Sequence, residues 1–192
     1  MLGMIHRTYD DKSKDTMLKL YKSLVRPHLE YAIQAWRPYK QKDIDSMEKV
    51  QRRATRMMEG LGGLSYEERL ERTNLLSLEM RRLRSDLIEV YKIINGFEGL
   101  NVDDFFEFRD DNVTRGHSKK IYKLRSRLDI RKYFFTQRVV EEWNSLPSEV
   151  VESKSINEFK SRIEPLFKRV RGTCISQRRL PTPVLRPARV SS

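Results

Sequence analysis

The sequence has one cysteine and no long apolar run, and each shortage excludes a class of protein. Cys174 is the single cysteine among 192 residues, so we expect neither a disulfide framework nor a cysteine-based metal cluster. No apolar stretch approaches the ~20 residues that a membrane-spanning helix needs. The opening residues, MLGMIHRTYD, also lack the apolar segment of a secretory signal. We therefore expect an intracellular chain, nuclear or cytoplasmic, with no membrane partner.

Side chains that bind metals or cofactors are equally sparse. His6, His28 and His117 are scattered, with no cysteine or carboxylate at the spacing of a zinc site. The glycine-rich stretch at 60–63 lacks the Lys-Ser/Thr pair of a phosphate-binding loop. We therefore expect no cofactor in this chain.

Acidic residues are too few to balance the basic ones, and the formal net charge is +12. Such an excess favours a polyanionic partner, because clustered cations release counterions when they neutralise phosphates. The sequence after Glu164 contains no acid. Seven of the net charges lie there: Lys168, Arg169, Arg171, Arg178, Arg179, Arg186 and Arg189. The rest of the chain is only modestly basic.

The most regular segment runs from Ile44 to Met58 and predicts an amphipathic helix over 42–58. Apolar residues recur there at steps of three and four: Ile44, Met47, Val50, Ala54, Met57 and Met58. At about 100° per residue they occupy one arc of the helix. The opposite side bears four cations: Lys49, Arg52, Arg53 and Arg56. That side is either an ordinary solvated surface or a binding face.

Residues 13–36 predict a second helix, interrupted at Pro27 because proline removes an N–H group and disfavours αR backbone before it. The segment after Pro27 is broadly apolar. We expect it to be buried on most sides, with Tyr31 and Trp36 in the core.

Two capping boxes and a third long helix follow. Ser65 with Glu68, and Ser155 with Glu158, have the Ser-x-x-Glu spacing of helix starts. Residues 77–94 place an apolar stripe on one side: Met80, Leu83, Leu87, Val90, Tyr91 and Ile94. The other side mixes both signs, and we expect it to be solvated: Glu79, Arg81, Arg82, Arg84, Asp86, Glu89 and Lys92.

These patterns predict a mostly α fold. We expect a helical bundle over 1–97, a loop with a short hairpin or extended segment over 98–132, and a further helical lobe over 133–170. Residues 171–192 contain three prolines and many arginines without periodicity, so they predict a disordered basic tail.

Six motifs resemble, in the same order, the region past the palm in reverse transcriptases of non-LTR retrotransposons, with the jockey-like LINE branch as the closest resemblance. The resemblance covers about residues 2–167. The motifs are VRPHLEY, AWRPY with DIDSMEKVQRRATR, SYEERL, RRLRSDLIEVYKIING, TRGHS and YFFTQRVVEEWNSLP. The resemblance implies an RNA-directed DNA polymerase as the parent enzyme, of which this chain is the thumb and the helical region after it.

The resemblance also implies that the catalytic residues lie elsewhere in the parent. Reverse transcriptases hold two Mg²⁺ ions with an aromatic-x-Asp-Asp turn and a third Asp. The acidic pairs at 10–11, 103–104 and 110–111 lack that spacing and are not flanked by alternating apolar strands. Mg²⁺ would therefore belong to the missing palm, and we expect this chain to be inactive alone.

The expected partners are an RNA/DNA template–primer duplex and the parent's palm and fingers. Lys49, Arg52, Arg53 and Arg56 are the first candidates for phosphate contacts, which read shape rather than base edges. A second candidate is the loop at 114–120, with Arg115, Lys119 and Lys120; an ordinary polar loop is the alternative there.

Two alternatives to a nucleic-acid-binding fragment stay open. The chain is a free-standing helical module that packs on protein partners, or it is a truncated copy without a selected function. Exposure of Leu18, Leu24, Ile33 and Trp36 would favour the interaction module.

Overall fold

Helices joined by tight turns make up most of the computed structural model, which describes residues 1–109 and 116–169. The prediction of a mostly α fold is confirmed. In chain order, α1 to α11 are Leu2–Thr8, Lys14–Leu20, Arg26–Glu30, Gln41–Arg56, Tyr66–Thr73, Leu78–Ile94, Asp129–Lys132, Phe135–Arg138, Val140–Asn144, Ser148–Val151 and Ile156–Arg169. The predictions for Arg115, for the pair at 110–111, for Cys174 and for the tail at 171–192 lie outside the described residues.

The predicted hairpin is represented by one antiparallel bridge between Phe108 and Ile121. The Arg109 amide donates to the Lys120 carbonyl at 2.9 Å, and the Tyr122 amide donates to the Glu107 carbonyl at 2.7 Å. Just before it, Phe106 is buried against the C-terminal helices.

The helix predicted over 13–36 ends early. A π-helical turn at Tyr21–Val25 connects α2 to α3, and Pro27 lies in the first turn of α3, where a missing N–H is tolerated. The chain becomes extended at Tyr31 (φ −65°, ψ 133°), and Ala32 follows at φ 48°. The prediction of a helix to residue 36 is therefore wrong after Glu30.

This reversal changes which side chains are buried. Ile33 is 2% exposed, whereas Tyr31 is 77% and Trp36 is 42% exposed. The expectation that Tyr31 and Trp36 lie in the core is wrong, because the left-handed turn at Ala32 directs Ile33 inward and leaves both rings at the surface.

Two hydrophobic clusters divide the described chain. The first packs α1, α2 and α4 together through Ile5, Met17, Tyr21, Val25, Ala54, Met58, Leu61, Leu70 and Leu75. The second begins at Leu76 and packs α6 against the C-terminal helices, around Leu87, Trp143, Phe159, Ile163 and Phe167. Among the clustered residues, those up to Leu75 thus belong to the first cluster, and those from Leu76 onward belong to the second. The domain boundary predicted after residue 97 stays a prediction.

Both serine caps form hydrogen bonds at helix starts. At α5 the Glu68 amide donates to Ser65 Oγ at 3.3 Å, and the Ser65 amide donates to Glu68 Oε2 at 2.8 Å. At α11 the Glu158 amide donates to Ser155 Oγ at 3.2 Å, but the Glu158 carboxylate accepts from the Lys154 amide instead of the Ser155 amide. Each arrangement satisfies N–H groups that have no partner inside the helix.

Candidate nucleic-acid interface

The four predicted cations of α4 lie together at the surface, and we call Lys49, Arg52, Arg53 and Arg56 the cationic face. All four are exposed. The Arg52 guanidinium lies 4.9 Å from the centroid of the Tyr66 ring. Among the described residues, the other three form no ion pair, so their charges are available to a partner.

The first helix adds to this side of the molecule. Ile5 of α1 is 1% exposed and anchors that helix in the N-terminal core. His6 and Arg7 then lie beside Arg53 and Met57, with which they line a shallow groove. Sequence reasoning missed Arg7, because its place beside Arg53 depends on the packing of α1 against α4.

The opposite side of α4 is held by a buried polar network. Gln51 Oε1 accepts from the Tyr21 hydroxyl at 2.6 Å, and its Nε2 donates to the Leu76 carbonyl at 3.0 Å. Its Nε2 also donates to the Tyr66 oxygen at 2.9 Å, and the Tyr66 hydroxyl donates to Glu48 Oε1. Because these partners come from three other parts of the chain, the network fixes the rotation of α4 and so the direction of the cationic face.

Burial shifts the acidities of this network. It raises the pKa of the Glu48 carboxyl, although hydrogen bonds from the Tyr66 hydroxyl and the Leu78 amide oppose the shift. Burial together with the Glu48 charge raises the pKa of the Tyr66 hydroxyl. Tyr66 therefore keeps its proton and acts as the donor to Glu48.

The second predicted site is more enclosed than the first. Lys119 is half-buried, and its Nζ donates to Asn95 Oδ1 at 2.6 Å. Lys120 is also half-buried. His117 is buried, with Nε2 3.1 Å from the Trp143 carbonyl, and burial lowers the pKa of its imidazole. The described part of this loop, 116–120, thus packs on the C-terminal core.

A buried charge cluster lies on α6, where the sequence predicted a solvated face. Asp86 is fully buried and accepts from Arg138 Nε and Nη2, both at 3.0 Å, and from Arg37 Nη1 at 2.9 Å. Arg138 also donates to the Ile33 carbonyl at 3.0 Å. Arg82, on the same helix, is 2% exposed. The solvated reading is wrong for Asp86 and Arg82, because their neighbours come from distant segments that helical periodicity does not reveal.

A groove lies next to this cluster, and we call it the aromatic groove: Trp36, Tyr39, Ile130, Tyr133 and Phe134, with Met47 of α4. Tyr39 and Tyr133 stack with their ring centroids 4.5 Å apart and their planes 10° apart. Ile130 is 79%, Phe134 48% and Tyr39 42% exposed. This surface was not anticipated, because it forms only when residues 35–39 meet the α7–α8 junction.

The surface that would favour a protein-interaction module is only partly exposed. Leu24 is 37% and Trp36 is 42% exposed, while Leu18 is half-buried and Ile33 is buried.

The acidic pairs that the structure describes have local roles. Asp11 accepts from the Ser13 amide at 2.8 Å and from the Thr16 hydroxyl at 2.5 Å, and the Thr16 bond lowers its pKa most. Asp103 and Asp104 form a 3₁₀ turn after Asn101. Within residues 1–109 and 116–169, no three His, Cys, Asp or Glu side chains are grouped to hold a metal ion. Nor is any helix there long and apolar enough to cross a bilayer.

No family model, curated protein or solved structure matches this chain.

Proposed function

We propose that this chain binds the sugar–phosphate backbone of an RNA/DNA duplex through the cationic face of α4. In this proposal it is the thumb region of a non-LTR retrotransposon reverse transcriptase, and the parent's palm supplies the Mg²⁺ and the catalytic carboxylates. The observation that carries the proposal is the set of four exposed cations on one side of a helix whose other side is fixed by buried hydrogen bonds.

The spacing of the cations suits a phosphate backbone. Lys49 and Arg56 are seven positions apart, so they span about 10 Å along the helix at ~1.5 Å per residue. Phosphates of one strand follow each other every ~3.4 Å along the axis of B-DNA, and more closely in an A-like RNA/DNA hybrid. The face can thus contact about three consecutive phosphates, and a contact of this kind positions a duplex without reading its bases.

The test is fluorescence anisotropy of a labelled RNA–DNA hybrid with the full chain across a salt series. Arg53→Gln with Arg56→Gln removes two exposed charges without disturbing the Arg52–Tyr66 contact. We expect the slope of log affinity against log salt to become shallower by about 2, since each phosphate contact contributes ~0.9. Lys14→Gln with Lys19→Gln, which removes two exposed charges from α2, is the matched control.

The arginines after residue 169 need a separate variant, because they too can attract phosphates. A full-length chain in which Gln replaces these five arginines measures their share: Arg171, Arg178, Arg179, Arg186 and Arg189. The proposal predicts that salt-dependent binding survives in this variant and is then weakened by the α4 substitutions. If the tail substitutions alone abolish binding, or if the α2 and α4 pairs behave alike, the proposal is wrong.

A further inference from the structure

We propose that the aromatic groove is a separate binding site for single-stranded nucleic acid. Bases stack on Trp36, Tyr39 and Phe134, while Lys40, Arg131 and Lys132 contact the phosphates. The inference rests on the pairing of exposed rings with cations and does not depend on the cationic face of α4.

Three rings of the groove, those of Tyr39, Tyr133 and Phe134, each have a cation over them. Lys40 Nζ lies 6.0 Å from the Tyr39 ring centroid, and Lys132 Nζ lies 5.5 Å from the Tyr133 centroid. The Arg131 guanidinium lies 6.0 Å from the Phe134 centroid. Proteins that bind single strands combine such stacking surfaces with a positively charged path for the backbone.

The charges that remain free at the groove are predominantly positive. Arg37 and Arg138 line its floor, but Asp86 neutralises part of their charge from inside the core. Among the described residues, no ion pair is formed by Lys40, Arg131 or Lys132. Of the described acidic side chains, one lines the groove, that of Asp43. A polyanion with flat aromatic faces fits both the charges and the rings, whereas an apolar protein helix fits only the rings.

The groove is formed before any ligand binds. It encloses about 580 Å³. The Trp36 indole Nε1 donates to the Tyr31 carbonyl at 2.7 Å, which holds that ring at the rim. The stack of Tyr39 on Tyr133 joins the two walls. Rings that are already held in place lose little conformational freedom on binding, which favours affinity.

The groove and the cationic face are different sites on α4. The groove contacts α4 through Asp43, Ser46 and Met47. At ~100° per residue, these positions are centred roughly 120° around the helix from the centre of the cationic face. One strand and one duplex can therefore be bound on separate sides.

Tryptophan fluorescence provides a direct test, since Trp36 is 42% exposed whereas Trp143 is fully buried. We would titrate the full chain with a twelve-nucleotide oligo(U) and record both tryptophan emission and the anisotropy of a labelled copy. Stacking should quench the emission. In Trp36→Phe the quenching should disappear while the anisotropy still reports binding, because the ring is conserved.

Two phenylalanines form a matched pair for the affinity measurement. Phe134 is 48% and Phe97 is 49% exposed. Phe134→Ala should weaken oligo(U) binding by about tenfold or more, as expected for the loss of one stacked base. Phe97→Ala should leave it unchanged. Arg131→Gln with Lys132→Gln, at two exposed positions, should reduce the salt slope by about 1.4 for a single strand.

Several results would overturn the inference. One is unchanged tryptophan emission at oligo(U) concentrations that saturate the anisotropy, since the strand would then bind elsewhere. Another is equal affinity of the two phenylalanine variants. Sedimentation gives a third such result: if the unsubstituted chain is a dimer and the Phe134→Ala variant is a monomer, the groove binds a second copy of the chain. Quenching of Trp36 emission reports binding in the groove, and the anisotropy of a labelled RNA–DNA hybrid with the α4 variants reports binding at the cationic face. The two proposals can therefore fail independently of each other.

Discussion

Replacing Asp86 with asparagine should destabilise the protein more than any surface charge substitution. The substitution leaves the shape of the side chain but removes its charge. Arg37 and Arg138 would then face each other across the core side of α6, with side chains only 16% and 11% exposed. Neither guanidinium can lose its proton to escape this repulsion.

The magnitude follows from the three charge-assisted hydrogen bonds that Asp86 accepts, at 2.9, 3.0 and 3.0 Å. Removing one partner of a buried ion pair costs about 3–5 kcal/mol, because the remaining charge stays desolvated. Asparagine keeps one acceptor oxygen, so we expect a value near the lower end, about 3 kcal/mol. For a chain of this size, each kcal/mol lowers Tm by ~2–4 °C, which predicts a loss of about 6–12 °C.

The assay is urea unfolding followed by far-UV circular dichroism, with thermal melts as a second measurement. Glu164→Gln is the matched control, since Glu164 pairs with Arg84 at 3.1 Å but the two side chains are 35% and 22% exposed. Partly exposed pairs contribute about 0–1 kcal/mol. If Asp86→Asn costs no more than Glu164→Gln, the cluster does not stabilise the fold and the reasoning is refuted.

Two further predictions concern α4 and α5. Burial raises the pKa of the Glu48 carboxyl above its ordinary value of 4.5, so the folded protein holds the carboxyl proton more tightly than the unfolded chain does. The stability that this group contributes is therefore present below pH 4.5 and is lost as the pH rises through the raised pKa. Glu48→Gln, which can still accept from Tyr66, should gain in free energy of unfolding relative to the unsubstituted chain over that window. Urea titrations at several pH values measure this gain, and a gain that does not grow with pH would contradict the argument. Ser65→Ala removes the oxygen that accepts from the Glu68 amide and should cost about 1 kcal/mol in the same urea assay; a cost below ~0.3 kcal/mol would show that the cap is dispensable.

Local patterns in the sequence were enough for the long helices α4 and α6 and for the start of α5. The apolar stripes of α4 and α6 and the cap at Ser65 depend on residues three or four positions apart, and such residues are neighbours in any helix. The same arithmetic grouped Lys49 with Arg53 on one side of α4, and the structure leaves both exposed. Their role in binding stays a proposal.

Surface and core assignments failed where they depended on distant residues. Trp36 and Tyr31 are apolar enough for a core, but the turn at Ala32 directs them to the surface. Asp86 is a charged residue of the kind usually found at the surface, but it is buried and accepts a hydrogen bond from Arg138, which lies 52 positions later in the sequence. No local pattern encodes either event.

Composition and short-range periodicity are enough to establish that this chain is helical and basic. Which charges are buried and which rings are exposed depends on the tertiary packing. Burial of a charge depends on the partner that compensates its desolvation, and that partner comes from a segment far along the chain. The Arg37–Asp86–Arg138 cluster and the aromatic groove beside it both arise in this way.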